Sequence, residues 1–226
     1  MQKLLSTIPI INMRLSNIII TAVILLSFAI GIYLYPQMPD NMISHWNAAG
    51  QPDGFMPKFW GLFLMPIISV GMFLLFLAIP RIDPLKQNID KFRGYFDGMI
   101  VLIIVFLFYI FMLSIFWNIG FTFSMIQALV PALGLLFIYM GLLVSKAKRN
   151  WFIGIRTPWT LSSEKVWDKT HSLGGKMFAA SGIIALFGML FLDYAIWLVL
   201  VPVLFSAIYA MVYSYFEYRK ETKRKK

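Results

Sequence analysis

Apolar residues fall into six long runs, and polar residues gather between them. The runs cover 17–35, 60–80, 96–117, 123–145, 170–192 and 194–216. A helix needs about 20 apolar residues to cross the bilayer core, with about 17–25 tolerated. The fifth run is unbroken only over Met177–Leu192 and reaches crossing length if its helix begins near Thr170. Only Leu192, Asp193 and Tyr194 part the fifth run from the sixth, which predicts a tight connection with Asp193 at the water boundary. The pattern predicts an all-α polytopic membrane protein of six transmembrane helices, with 1–226 as a single membrane domain. An outer loop spans 36–59 and an inner loop spans 146–176.

Orientation follows from the basic residues. Nineteen of the twenty Lys and Arg fall on one predicted side, and only Lys58 lies on the other. Positive charge stays cytoplasmic, so both termini are expected inside. The run after Lys3 is too long for a signal-peptide core and reads as a retained first span.

Composition strengthens this reading. Hydrophobic residues make up 60% of the chain and charged residues 13%, against about 45–50% and about 25% in soluble domains. The net charge of +10 reads as a topology signal and attraction to anionic headgroups rather than as a nucleic-acid footprint. With no cysteine, disulfide and thiolate chemistry are excluded. Pro66, Pro131 and Pro202 are expected to kink spans, and Gly134, Gly141, Gly182 and Gly188 to let helices approach closely. No span carries a charge at its centre, which argues against an ion-coupled transporter.

Two loops carry the candidate chemistry. The outer one is dense in turn formers, with Asn47 to Gly50 and Pro52-Asp53-Gly54 as two predicted turns. A short helix or strand is expected around Ile43–Trp46, and Trp46, Phe55, Phe59 and Trp60 at headgroup level. His45, Trp46, Asn47, Gly50, Asp53 and Gly54 are its candidate site residues. His45 and Asp53 are too few for a zinc site, which takes three or four protein ligands, so a hydrogen-bonded structural histidine is expected and no metal.

The inner loop contains NWFIGIRTPWT over residues 150–160. Pro158 drives Thr157 towards an extended conformation. Ser162 or Ser163 is placed to cap a helix with Glu164 in its first turn, and Trp167 and His171 share one face of it. Arg156 stands outside any basic cluster. It is expected either to clamp the loop, stacking on Trp151 or Trp159 or bonding exposed carbonyls, or to meet a ligand or partner.

IGIRTPWTLSSEKVWDKTH followed by GGK resembles the signature loop of the SdpI family, bacterial membrane proteins of the immunity type. PDNMISHWNAAGQPDGF resembles the domain of unknown function found in the N-terminal half of many of them. The resemblance implies six spans, a plasma-membrane location and immunity to a secreted toxic peptide met on the outer face. It also implies a signalling role, in which a transcriptional repressor is held at the cytoplasmic face. It carries over Gly154, Arg156, Thr157, Pro158, Trp159, Thr160 and Trp167 as signature residues. The alternatives are a transporter of a small solute, lipid or peptide, because an elaborate loop follows the first span of each half on opposite faces, as an inverted repeat would give, and, more remotely, a membrane enzyme. No catalytic set, glycine-rich phosphate loop or H-E-x-x-H is present, so no enzyme activity and no cofactor are expected. Membrane lipids are expected partners and nucleic acid is not.

Overall fold

The computed structural model describes residues 13–224 apart from residue 48. Helix α1 is Met13–Leu34, followed by a 3-10 turn at Tyr35–Gln37. Strands β1 (Asn41–Trp46) and β2 (Pro52–Pro57) then form an antiparallel hairpin. Next come α2 (Lys58–Ile82), the short α3 (Lys86–Asp90), α4 (Arg93–Asn118) and α5 (Met125–Lys146). A loop leads to α6 (Pro158–Ser162), α7 (Glu164–Phe187), a 3-10 turn at Leu192–Tyr194 and α8 (Ala195–Arg224). The described residues are thus mostly helical, with one small hairpin among them.

Among the described residues, five segments are long and apolar enough to cross a membrane: Leu15–Gln37, Lys58–Ile82, Arg93–Asn118, Met125–Lys146 and Leu192–Arg224. The stretch expected as a fifth span, 170–192, falls mainly on α7, which is long enough but too polar to be among them. The polar residues of its first turns belong to the same unbroken helix as its apolar end, and the helix stops at Phe187.

The helices sort into two groups of three. α1, α2 and α4 pack on one another; α5, α7 and α8 do likewise; α4 meets α5 between them. The tightest contact is α5 on α7, and glycine makes it possible. Gly134 faces Gly182, and Gly141 faces Gly175, so the two helices run antiparallel with backbones nearly touching. A Cβ on Gly141 would lie 2.5 Å from the Ala179 nitrogen, and one on Gly182 would lie 2.5 Å from the Gly134 oxygen. Small residues permit such approach where lipid supplies no hydrophobic drive between helices.

At α4–α5 the Tyr139 hydroxyl donates to the Tyr95 carbonyl at 2.9 Å and lies over Gly98. Pro66, Pro131 and Pro202 all sit inside helices. Ser69 and Ser206 donate back to carbonyls four residues earlier, as hydroxyls in apolar helices do. The main buried cluster runs from Ile20 and Ile24 on α1 through Phe76, Phe96 and Ile104 to Leu143, Ile153 and Trp167. It therefore joins the first helical group to the loop before α6.

Candidate functional sites at the two ends

The loop between α5 and α6 is built on buried Asn150. Its Oδ1 accepts the N–H groups of Phe152 (2.9 Å) and Ile153 (2.6 Å), and its Nδ2 donates to the carbonyls of Lys148 (2.8 Å) and Ile153 (2.9 Å). The loop then turns at Gly154, where φ is +113°. A Cβ there would sit 2.3 Å from His171 Nε2, so the position has neither the backbone freedom nor the space for a side chain. His171 Nε2 accepts the Ile155 N–H at 2.9 Å, while Nδ1 faces the Trp167 carbonyl at 2.9 Å. Accepting at one nitrogen and donating at the other requires the neutral ring. The imidazole stacks on Trp167 at 3.8 Å, and the Trp167 indole donates to the Ala147 carbonyl at 2.8 Å.

Thr157 is extended and caps α6 in a reciprocal box with Thr160. Its hydroxyl also meets Ser214 on α8 at 3.0 Å. Thr160 Oγ1 donates to the Ile155 carbonyl at 2.8 Å. Pro158 opens α6, and Trp159 packs edge-on to Tyr215 at 5.1 Å. Ser163, one of the two expected caps, accepts the Val166 N–H at the start of α7. Arg156 is exposed, and its Nη1 donates to the Trp151 carbonyl at 2.6 Å. Among the described residues its guanidinium stacks on no ring.

Sequence reasoning missed what holds this loop to the first helical group. Buried Asp83, at the end of α2, accepts the Leu85 N–H (2.6 Å) through one oxygen and the Trp151 N–H (2.9 Å) through the other. Asn88 on α3 donates to the Arg149 carbonyl at 2.8 Å. The partners are 68 and 61 residues apart, beyond the reach of any local pattern.

The hairpin occupies the opposite end. Asn47 Oδ1 accepts the N–H groups of Ala49 and Gln51, and Gly50 takes φ +75°. That is the asparagine–glycine turn expected there. His45 Nδ1 and Asp53 Oδ1 lie 2.5 Å apart in the open. Gly54 sits opposite His45, where a Cβ would come within 2.8 Å of the His45 Cβ. The Lys58 ammonium, hydrogen-bonded to Asp40 at 2.8 Å, holds that carboxyl below the ordinary carboxylate range.

Asn118 at the end of α4 fixes the hairpin at two points. Its Oδ1 accepts the Ile43 N–H (2.8 Å), and its Nδ2 donates to the Ile43 carbonyl (2.9 Å). Met42 is buried against Gly61, and Trp46 packs edge-on to Trp117. Phe55, Phe59 and Trp60 are exposed. The two histidines thus lie at opposite ends. Among the described residues, no three His, Cys, Asp or Glu are grouped to hold a metal.

Five apolar helices, a bundle of two three-helix groups and polar loops at both ends define a multi-pass membrane protein. Residues 146–214 match the SdpI/YfhL protein family, and residues 22–70 match a domain of unknown function, DUF1648. The chain is thus a membrane protein whose C-terminal part is similar to the SdpI/YfhL family, with a region similar to DUF1648 ahead of it. The immunity protein SdpI of Bacillus subtilis (strain 168) is 27% identical over 206 residues, covering 90% of this chain and 96% of that protein. No solved structure matches.

Proposed function

We propose that this protein confers immunity to a secreted toxic peptide from within the plasma membrane. The observation that carries the reading is the end-to-end similarity to an immunity protein, which takes in both helical groups and both loops. In this reading α7 is a sixth crossing. Its 24 residues rise about 36 Å at about 1.5 Å each, enough for the bilayer core. Both termini and the α5–α6 loop then face the cytoplasm, and the hairpin faces outward. The distribution of charge supports this, since Lys58 is the one basic residue in the connections at the hairpin end.

The finer reading gives the cytoplasmic loop a second task, holding a transcriptional repressor when toxin is bound outside. Exposed Trp151 beside the free part of the Arg156 guanidinium supports a docking surface there. Deleting the gene in its host and challenging with culture supernatants of related strains tests the immunity reading. Loss of survival is expected, and unchanged survival against every preparation would overturn it. Transport is the second reading, favoured by the two three-helix groups, each with its elaborate loop after its first helix at opposite ends. Solute flux into vesicles carrying the purified protein separates the two.

A further inference from the structure

Basic side chains crowd one hollow at the end where α8 outruns the bilayer. The 30 residues of α8 rise about 45 Å at about 1.5 Å each, against a hydrocarbon core of about 30 Å. Counted from Ala195, Glu217 stands about 33 Å along the helix, where the core gives way to head groups. There α7 and α8 enclose a hollow of about 170 Å³, lined by Lys165 and Lys169 of α7 and by Glu217, Lys220, Glu221 and Arg224 of α8. Sites that enclose a whole small ligand measure about 300–1,000 Å³; this one has room for a single charged group.

Two observations characterise its occupant. The first is a surplus of donors. Four basic side chains face two carboxylates, and the carboxylates are already engaged. Buried Glu217 takes Lys169 on Oε2 at 2.5 Å and Lys220 on Oε1 at 3.0 Å, and Glu221 Oε2 accepts the Ser163 hydroxyl at 2.5 Å. Lys165 and Arg224, both exposed, form no ion pair among the described residues. The Arg224 charge also repels the Lys169 ammonium. An anion placed between such cations relieves their repulsion. The second observation is a track for an acyl chain. Exposed Phe205, Tyr209, Val212 and Phe216 follow one another at steps of three and four residues along α8, and Lys220 and Arg224 continue the row. An apolar stripe therefore leads to the lip of the hollow.

We infer that the hollow binds the phosphate of an anionic phospholipid whose acyl chains lie along the stripe on α8. Lys165 and Arg224 supply the unpaired charge, and the spare N–H donors of Lys169 and Lys220 complete the cradle. Basic pockets between membrane helices hold anionic head groups in this way. A zwitterionic head group brings its own cation, which the same side chains repel. The inference goes beyond the immunity reading and needs only that α8 cross the bilayer, so the failure of either leaves the other standing.

The test uses the full chain in a nonionic detergent, with bound lipid counted by native mass spectrometry. The probes are dioleoyl phosphatidylglycerol, dioleoyl phosphatidylcholine and inorganic phosphate. Phosphatidylglycerol is expected to bind about tenfold more tightly than phosphatidylcholine, a difference of about 1.4 kcal/mol. Lys165→Gln with Arg224→Gln is expected to abolish that preference while leaving the Glu217 pairs, and with them the unfolding temperature, in place. Lys165→Gln alone is expected to weaken phosphatidylglycerol about threefold, and it keeps the test alive should the double variant fail to fold. Lys86→Gln with Lys146→Gln removes the same charge at the same end but outside the hollow, and is expected to keep the preference. Equal binding of the two lipids overturns the proposal, as does unaltered phosphatidylglycerol binding by the hollow variants. An equal loss in the Lys86 and Lys146 variant overturns it in favour of diffuse surface charge. Inorganic phosphate bound as tightly as phosphatidylglycerol overturns it in favour of a free phosphate.

Discussion

Gly154 concentrates the demands of the signature loop in one residue. Its φ of +113° and the 2.3 Å approach to His171 leave no room for a methyl group. Gly154→Ala is expected to cost at least about 1–3 kcal/mol, the usual strain of a forced left-handed backbone, read as a lower unfolding temperature in detergent. Gly71→Ala is the control: nothing lies within 4 Å of its Cβ position inside α2. Alanine there is expected to be neutral or stabilising by up to about 1 kcal/mol.

His171 adds a pH dependence whose sign follows from its bonds. The neutral ring accepts the Ile155 N–H and the protonated ring cannot. The stabilisation is therefore present in the neutral form and is lost as acid protonates the ring. Unfolding temperature should fall on acidification, and His171→Gln should flatten that fall. Arg156 was legible as an isolated charge, but its contact was not. The sequence left open stacking, a bond to carbonyls or a ligand, and the structure gives a bond from Nη1 to the Trp151 carbonyl.

At the scale of elements, the apolar runs translated directly into helices because a bilayer-length run has few other ways to satisfy its backbone. In the outer loop the turn at Asn47–Gly50 was legible from residues whose backbone preferences are local, while the stretch around Ile43–Trp46 was left between helix and strand, and its pairing with Pro52–Pro57 comes from the structure. What stayed hidden was mostly what depends on distant partners. Gly174 and Gly175 lie inside α7, and Gly175 abuts Gly141 on α5, a partner that no local pattern reveals. Gly182→Val should force α5 and α7 apart and lower stability by several kcal/mol, more than an ordinary cavity-free surface change.

Asp83 and Asn118 sit at helix ends with nothing in the neighbouring sequence to single them out. Each takes hold of the backbone of a segment far along the chain. Asp83→Ala should release the Trp151 amide at a cost of about 1–3 kcal/mol. Hydrogen exchange at Trp151 and its neighbours would show it as faster exchange confined to the loop.

For the whole molecule, the two helical groups meet along α4 and α5 and are strapped at opposite ends. The α5–α6 loop reaches Asp83 and Asn88 of the first group, and the hairpin tip reaches Ile126 of the second. Each group supplies the piece that crosses to the other. Orientation is testable because the chain has no cysteine. Ala49→Cys should react with a membrane-impermeant maleimide on intact cells, and Lys223→Cys only after permeabilisation. The reverse pattern would invert the topology.

The central claim is protection, and a survival measurement in a sensitive strain tests it most directly. Cells expressing the wild-type chain, Gly154→Ala or no chain are exposed to the toxic supernatant of a related strain, with membrane abundance measured in each. The account predicts survival for cells carrying the wild-type protein and killing of cells without it, with Gly154→Ala cells dying at the rate set by their lost folded protein. Equal killing with and without abundant wild-type protein, across every toxic preparation tried, would contradict it.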